Sequence, residues 1–275
     1  MSKIIKISLV IFLIIIILLF SLYNKNYLQL HFLDVGQGDA ILIRTPQGQN
    51  ILIDGGADNL LLHRLGESMP WWDGTVDYLV ISHYHADHMM SLMELLNKYK
   101  VKNILVTAHQ PDDFLFSVWQ DALAQHSLQA TIVFAGQTWK LAEDLSMQVF
   151  SADSHHEDYN DNSLVLKLNY KEVSILLTGD LPSTEEVNVL KNNFDLRSEI
   201  LKVGHHGSKY SSAIEFLQAI QPEICIIQSG LDNRFGHPHQ EALSRLGELD
   251  CQILDNQQQG TIRIFSDGHD LWQTP

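Results

Sequence analysis

The sequence predicts an α/β protein, a single sandwich-type domain over residues 28–275 behind a membrane anchor at 1–25. Two observations predict the domain. Short apolar, β-branched runs such as 50–53, 173–177 and 200–203 have strand length, and each is followed by a turn carrying a histidine or an aspartate. The segments are also ordered: strand-rich from Leu28 to Ile53, helices and strands alternating to Val133, and a second series from Ser146 to Phe265. A third observation predicts the anchor, because the stretch 7–23 is apolar except for Ser8, Ser21 and Tyr23.

At about 17 residues the apolar stretch sits near the lower limit for crossing a bilayer. It is too uniformly apolar to present a wet face, which argues against a buried core helix. A cleaved signal peptide is the nearer alternative, but Phe20-Ser21-Leu22-Tyr23 offers no small-x-small cleavage site. Lys3 and Lys6 precede the stretch and only Lys25 follows closely. The positive-inside rule then keeps the N-terminus in the cytoplasm and places the domain outside the cytoplasmic membrane, on a single span. The remaining residues, about 245, suit one α/β domain and are too few for two ordinary enzymes. No internal repeat and no Pro/Gly-rich linker divides them.

The densest chemistry lies in Val80-Ile81-Ser82-His83-Tyr84-His85-Ala86-Asp87-His88. Three imidazoles and a carboxylate follow an apolar strand and precede the apolar helix 89–96. His83 and His85 can converge on one ion, while Asp87 and His88 on the next turn can face a second. Neutral imidazole with carboxylate suits zinc first, with manganese or iron as alternatives.

This HxHxDH pattern resembles the metallo-β-lactamase superfamily. The resemblance implies a four-layer αββα sandwich and two divalent metal ions, and it assigns further residues. Asp54, before Gly55 and Gly56, takes the place of an aspartate that orients ligands from behind. Asp180, in Thr178-Gly179-Asp180, takes that of the carboxylate bridging the metals. In Gly204-His205-His206-Gly207 a last histidine ligand is implied, His205 being favoured with His206 close behind.

Finer features resemble one branch, the hydrolase domain of the ComEC or Rec2 competence proteins. They are the opening 30–40 with Asp34-Val35-Gly36-Gln37-Gly38-Asp39, the stretch His205-His206-Gly207-Ser208 and the later Phe235-Gly236-His237-Pro238-His239. In that branch the superfamily's middle histidine gives way to an Asn-Ser pair, matched here by Asn162-Ser163. The third ligand of the first metal is therefore open, with His155 and His156 as substitutes or as part of a plain loop. The channel-forming membrane domain of those competence proteins has no counterpart in this chain, so a separate DNA-uptake channel is one partner to expect.

Cys225 and Cys251 each sit in a short apolar strand; a disulfide in an oxidising compartment and two buried thiols are both open. The net charge of -15 and the lack of any Lys/Arg cluster argue against tight, processive binding to nucleic acid. Divalent ions would restore local positive charge, so cleavage of phosphoesters stays compatible.

The expected chemistry is attack by a metal-bridged hydroxide on phosphorus or carbonyl carbon. Asp87 would bind metal and orient the nucleophile; His237 would donate a proton to the leaving oxygen or hold a phosphate oxygen. Ser208 and Lys209 are candidate anion contacts. The exposed or packed state of Trp71-Trp72, in the loop before the metal strand, bears on a substrate wall or a membrane contact. The leading reading is a membrane-anchored phosphodiesterase or nuclease linked to DNA uptake. The alternatives are a carboxylic ester, thioester or lactam hydrolase on the same dinuclear site, and a non-catalytic module whose metal site is incomplete.

Overall fold

The computed structural model describes residues 11, 12, 14, 15, 27–151 and 158–274. Most of the expected anchor and both His155 and His156 lie outside these residues. Among the described residues no helix is long and apolar enough to cross a membrane.

Among the described residues fifteen strands form two sheets. The first contains β1 (Leu28–Phe32), β2 (Ile41–Arg44), β3 (Asn50–Ile53), β4 (Thr75–Ile81), β5 (Lys100–Val106) and β6 (Ala130–Ile132). The second contains β7 (Thr138–Lys140), β8 (Leu145–Ser151), β9 (Val165–Tyr170), β10 (Val173–Leu177), β11 (Ile200–Lys202), β12 (Ile224–Ile227) and β13 (Gln252–Asp255). The chain then returns to the first sheet with β14 (Ile262–Ser266) and β15 (Leu271–Thr274) beside β1.

Helices cover the outer faces. On the first sheet lie α1 (Leu60–Ser68), the short α2 (Ala86–Met89), α3 (Leu92–Lys98) and α4 (Phe114–Gln125). On the second lie α5 (Ser183–Lys191), α6 (Ile214–Ile220) and α7 (Gln240–Gly247).

The central strands are buried on both faces and therefore read as unbroken apolar runs. In β3, Ile51 and Ile53 point into the core between the sheets, against Leu166, Leu168 and Ile175. Leu52 points the other way, to Leu61, Leu92 and Leu95 of the helices. The second sheet repeats the division: Ile175 and Leu177 face inward, whereas Leu176 and Leu201 meet Phe216, Leu217 and Leu246. This one-residue alternation produces the helix-sheet-sheet-helix order.

Strand direction sets the poles of the molecule. β3, β4 and β5 are parallel, β1 shares their direction through antiparallel β2, and β10 to β13 are parallel to one another. The loops at the C-terminal ends of these strands gather at one pole, the usual ligand side of parallel sheets.

Cys225 of β12 and Cys251, just before β13, form a disulfide with a sequence separation of 26. A loop of that length stabilises the fold by about 3.5 kcal/mol in the chain-entropy account. Reduction, or Cys225→Ala with Cys251→Ala, is expected to lower urea stability by about that amount. An unchanged midpoint would contradict it.

His31 of β1 is buried, and burial together with Arg263 and Arg44 pushes its pKa down to about 3. The folded state keeps the ring neutral, while the unfolded chain takes up a proton near 6.5. Stability is therefore intact above 6.5 and falls as pH drops toward 3. Urea titrations at several pH values are expected to give a shallower decline for His31→Gln; an identical slope would refute this assignment.

Candidate metal centre

Four strand ends supply the site. β3 delivers Asp54 at φ 58, and β4 runs into Ser82 and His83, with His85 capping α2, which carries Asp87 and His88. After β10 the turn through Gly179 sets Asp180, and after β11 a 3-10 turn, Gly204–Gly207, sets His205 and His206. His205 and His206 adopt φ 48 and 56. Left-handed backbone costs a β-carbon-bearing residue about 1–3 kcal/mol, and such strain concentrates at functional sites. Gly38 is required on the opposite wall, since a β-carbon there would lie 2.0 Å from the Asp87 carbonyl oxygen.

One oxygen is the hub. Asp180 Oδ2 lies 3.3 Å from His88 Nε2, 3.4 Å from His206 Nε2, 3.7 Å from His205 Nε2 and 4.0 Å from His83 Nε2. Asp87 Oδ2 is 3.4 Å from His206 Nε2. Ligand atoms of Asp87, His88, Asp180 and His206 all fall within 4.8 Å of one another.

The surrounding hydrogen bonds determine which ring nitrogens face that hub as lone pairs. Ser82 Oγ donates to Asp54 Oδ2 (2.6 Å), so Ser82 Oγ in turn accepts from His83 Nδ1 (3.0 Å). His88 Nδ1 donates to Asp54 Oδ2 (2.9 Å), and His206 Nδ1 donates to the Gln228 carbonyl (2.9 Å). The three Nε2 atoms, of His83, His88 and His206, are buried without a hydrogen-bond partner, as is Asp180 Oδ1. With the rings neutral, lone pairs and carboxylate oxygens gathered this closely repel unless protons or a metal cation lie among them. That donor set of imidazole and carboxylate fits a borderline divalent ion, and Asp54 behind His88 is the outer support such histidines use.

The same crowding shifts the titrations. Burial would drive His88 and His206 neutral, but Asp180 outweighs it, with Asp54 beside His88 and Asp39 beside His206, and both rings are held well above the ordinary range. Burial would also raise Asp180, yet His206 and His88 hold it well below the usual carboxylate range. The acidic cluster thus demands positive charge, met by protons or by divalent ions. His83 is pushed well down, by burial first and His88 second.

His205 and His206 exchange the order expected for them. His206 is buried and joins the tight group, whereas His205 is partly exposed on its rim. Their adjacency in a left-handed turn, not their spacing, separates them. His85 stands outside the tight group, with its ring 5.0 Å from that of His83 and 4.9 Å from that of Tyr159. His237 follows on the same side, its ring 5.4 Å from His205 and 6.1 Å from His206.

At the middle-histidine position Ser163 Oγ accepts from the Asp180 backbone N–H (3.2 Å), and the Asn162 amide donates to the Asp158 carbonyl (2.6 Å). Ser163 therefore braces the Asp180 turn, while Asn162 ties its own loop together. Ser208 is buried, with its N–H on the His205 carbonyl, while Lys209 is directed over the Tyr210 ring.

Asp39 and Lys202 join the site without a local signal that marks them as a pair. Asp39 is buried, pairs with the buried Lys202 ammonium, and sets Oδ1 3.2 Å from His206 Nδ1. Lys202 already neutralises Asp39, so the neighbouring trio Asp39, Asp54 and His88 is a buttress rather than a second cation cradle. The Gly38-Asp39 signal was present in the opening motif, but its partner lies far along the chain.

Comparison with known proteins agrees with this geometry. The family profile described as Metallo-beta-lactamase superfamily matches residues 33–230. ComE operon protein 3 of Bacillus subtilis (strain 168) is 30% identical over 257 residues, covering 86% of this chain and 32% of that protein. Recombination protein 2 of Haemophilus influenzae is 28% identical over 269 residues, covering 94% of this chain and 31% of that protein. The chain thus spans about a third of the length of these relatives. Among solved structures, the metallo-beta-lactamase fold protein YhfI from Bacillus subtilis superposes with a TM-score of 0.57 at 11% identity, over 82% of this chain and 95% of that one. Strand ends, histidine cluster and profile agree, and the chain belongs to the metallo-beta-lactamase superfamily.

Proposed function

We propose that the protein is a membrane-anchored, metal-dependent phosphodiesterase or nuclease serving DNA uptake. The observation that carries the hydrolase reading is the convergence of unpartnered His83, His88 and His206 Nε2 atoms on the Asp180 carboxylate. Asp87, His88, Asp180 and His206 would hold one divalent ion; His83, His85 and Asp180 would hold another. Zinc leads on donor chemistry, with manganese and iron as alternatives. Bound ions of this kind acidify water and polarise a phosphoryl or carbonyl oxygen.

The chain's own residues supply the rest. Asp87, held well below the usual carboxylate range by His206 and His88 against burial, is an ionised acceptor that can orient the attacking water. Burial, with His206 and His205, pushes His237 down to about 4, so its ring is neutral at pH 7. A neutral imidazole suits hydrogen-bond donation to a substrate oxygen better than delivery of a stored proton. This refines the proton-donor role expected for it. His205 lines the same rim.

The name of one relative, Recombination protein 2, supports DNA as the substrate class. The apolar stretch 7–23 supports an anchor with the domain on the extracytoplasmic side, and the Cys225–Cys251 disulfide suits that oxidising side.

Full-length protein supplied with manganese or zinc is expected to cleave single-stranded DNA and a bis-aryl phosphodiester, to lose both activities in chelator and to regain them on metal return. Hydrolysis confined to thioesters or lactams would refute the phosphodiesterase reading. Metal content by mass spectrometry after dialysis is expected to fall for His206→Ala far more than for His205→Ala. The reverse order would assign the ligand to His205. Asp54→Asn is expected to weaken metal affinity about 10–100-fold through loss of the brace on His88, as read by competition with a fluorescent chelator; unchanged affinity would remove Asp54 from the site.

A further inference from the structure

Trp71 and Trp72 are exposed at 91% and 70%, edge to face at 5.5 Å. Large apolar side chains left this open on a soluble surface mark a contact not yet made. Topology excludes a substrate wall. The two tryptophans precede Thr75, the first residue of β4, whereas Ser82 and His83 follow its last. A strand of this length puts roughly 20 Å between the pair and the metal centre, at the opposite pole.

Three further features share that pole. β1 runs in the direction of β4, so Leu28 and, just before it, Tyr27 lie at the same end as Thr75. The apolar stretch 7–23 therefore joins the domain at the pole that carries the two tryptophans. A mostly apolar cavity of about 520 Å³ opens beside Trp71, walled by Leu62, Met69, Pro70 and Tyr99, with Asp73 and Lys98 also lining it. Lys98 and Lys100 are both exposed there, Lys100 pairing in register with Thr75.

We propose that this pole is a phospholipid-binding face. Trp71 and Trp72 sit at the headgroup level of the bilayer from which the N-terminal stretch emerges. The apolar cavity accepts the upper part of an acyl chain, and Lys98 and Lys100 meet lipid phosphate. Indole rings prefer this depth because one edge is apolar and the N–H stays hydrated, and lysines beside them add attraction to anionic lipid. The consequence is an orientation: the metal centre faces away from the membrane, toward material arriving from outside. This inference rests on the anchored reading above and adds to it a second attachment.

The test uses the full chain in phosphatidylethanolamine/phosphatidylglycerol vesicles, with or without acyl chains brominated close to the headgroup. Flotation through a density gradient reports the anchor, and tryptophan emission reports the face. Because the Trp272 ring lies 4.7 Å from that of Tyr27 at the same pole, the test is run in a W139F/W272F background. Expected is flotation with emission quenched by brominated lipid, the quenching being largely lost on adding W71A/W72A, which still floats and keeps its metal content. A chain that floats but whose Trp71-Trp72 emission is insensitive to bromine overturns the lipid face and leaves the anchor standing. So does quenching that survives in W71A/W72A, or shielding of the pair in cross-linked dimers or by a protein partner. A chain that does not float overturns both.

Discussion

The carboxylate of Asp180 lies among four imidazoles, and most of the site is organised to keep it there. Its Oδ2 sits 3.3–4.0 Å from the Nε2 atoms of His88, His206, His205 and His83. A buried charge of this kind is tolerated only when opposite charge and hydrogen bonds surround it. Ser163 fixes its backbone, Asp54 and Gln228 turn the rings, and Asp39 with Lys202 closes the far side. The left-handed residues Asp54, His205 and His206 are part of the same constraint, since strained backbone is retained where surroundings over-determine it.

The two-sheet architecture explains why such a hub can form. Asp54 and the 82–88 segment come from the first sheet, and Asp180 and His205-His206 from the second. Only stacking with strand ends at a common pole joins them. The core between the sheets, filled by residues such as Ile51, Ile53, Leu166 and Ile175, therefore sets the spacing of the candidate ligands. Packing energy and site geometry are coupled through the same alternating strands.

Local features were legible in the sequence where one segment carries its own geometry. The His83–His88 cluster is of that kind, and so is the aspartate after β3, because strand and turn lie within a few residues. Two neighbours in one turn were not separable: spacing alone cannot tell whether His205 or His206 faces inward when both take positive φ. The Asp39–Lys202 pair was invisible because it joins β1's following loop to β11, across both sheets. Trp71-Trp72 looked close to the site because they precede the metal strand in sequence, yet a strand's length carries them to the other pole. The Asn162-Ser163 departure is readable as a missing ligand, but the bracing of the Asp180 turn by Ser163 emerges only from the hydrogen bonds.

The acidic chain and its histidine-rich centre combine into one electrostatic picture. A net charge of -15 repels polyanions in general, while the cluster around Asp180 calls for cations at a single pole. Substrate attraction would then be focused on the metal centre rather than spread over a basic surface. Diffraction from crystals soaked in zinc or manganese, collected at the metal absorption edge, tests this most directly. The account predicts an anomalous peak bonded to Asp87, His88, Asp180 and His206. Data with no such peak at that position, or with metal only at other histidines, would contradict it.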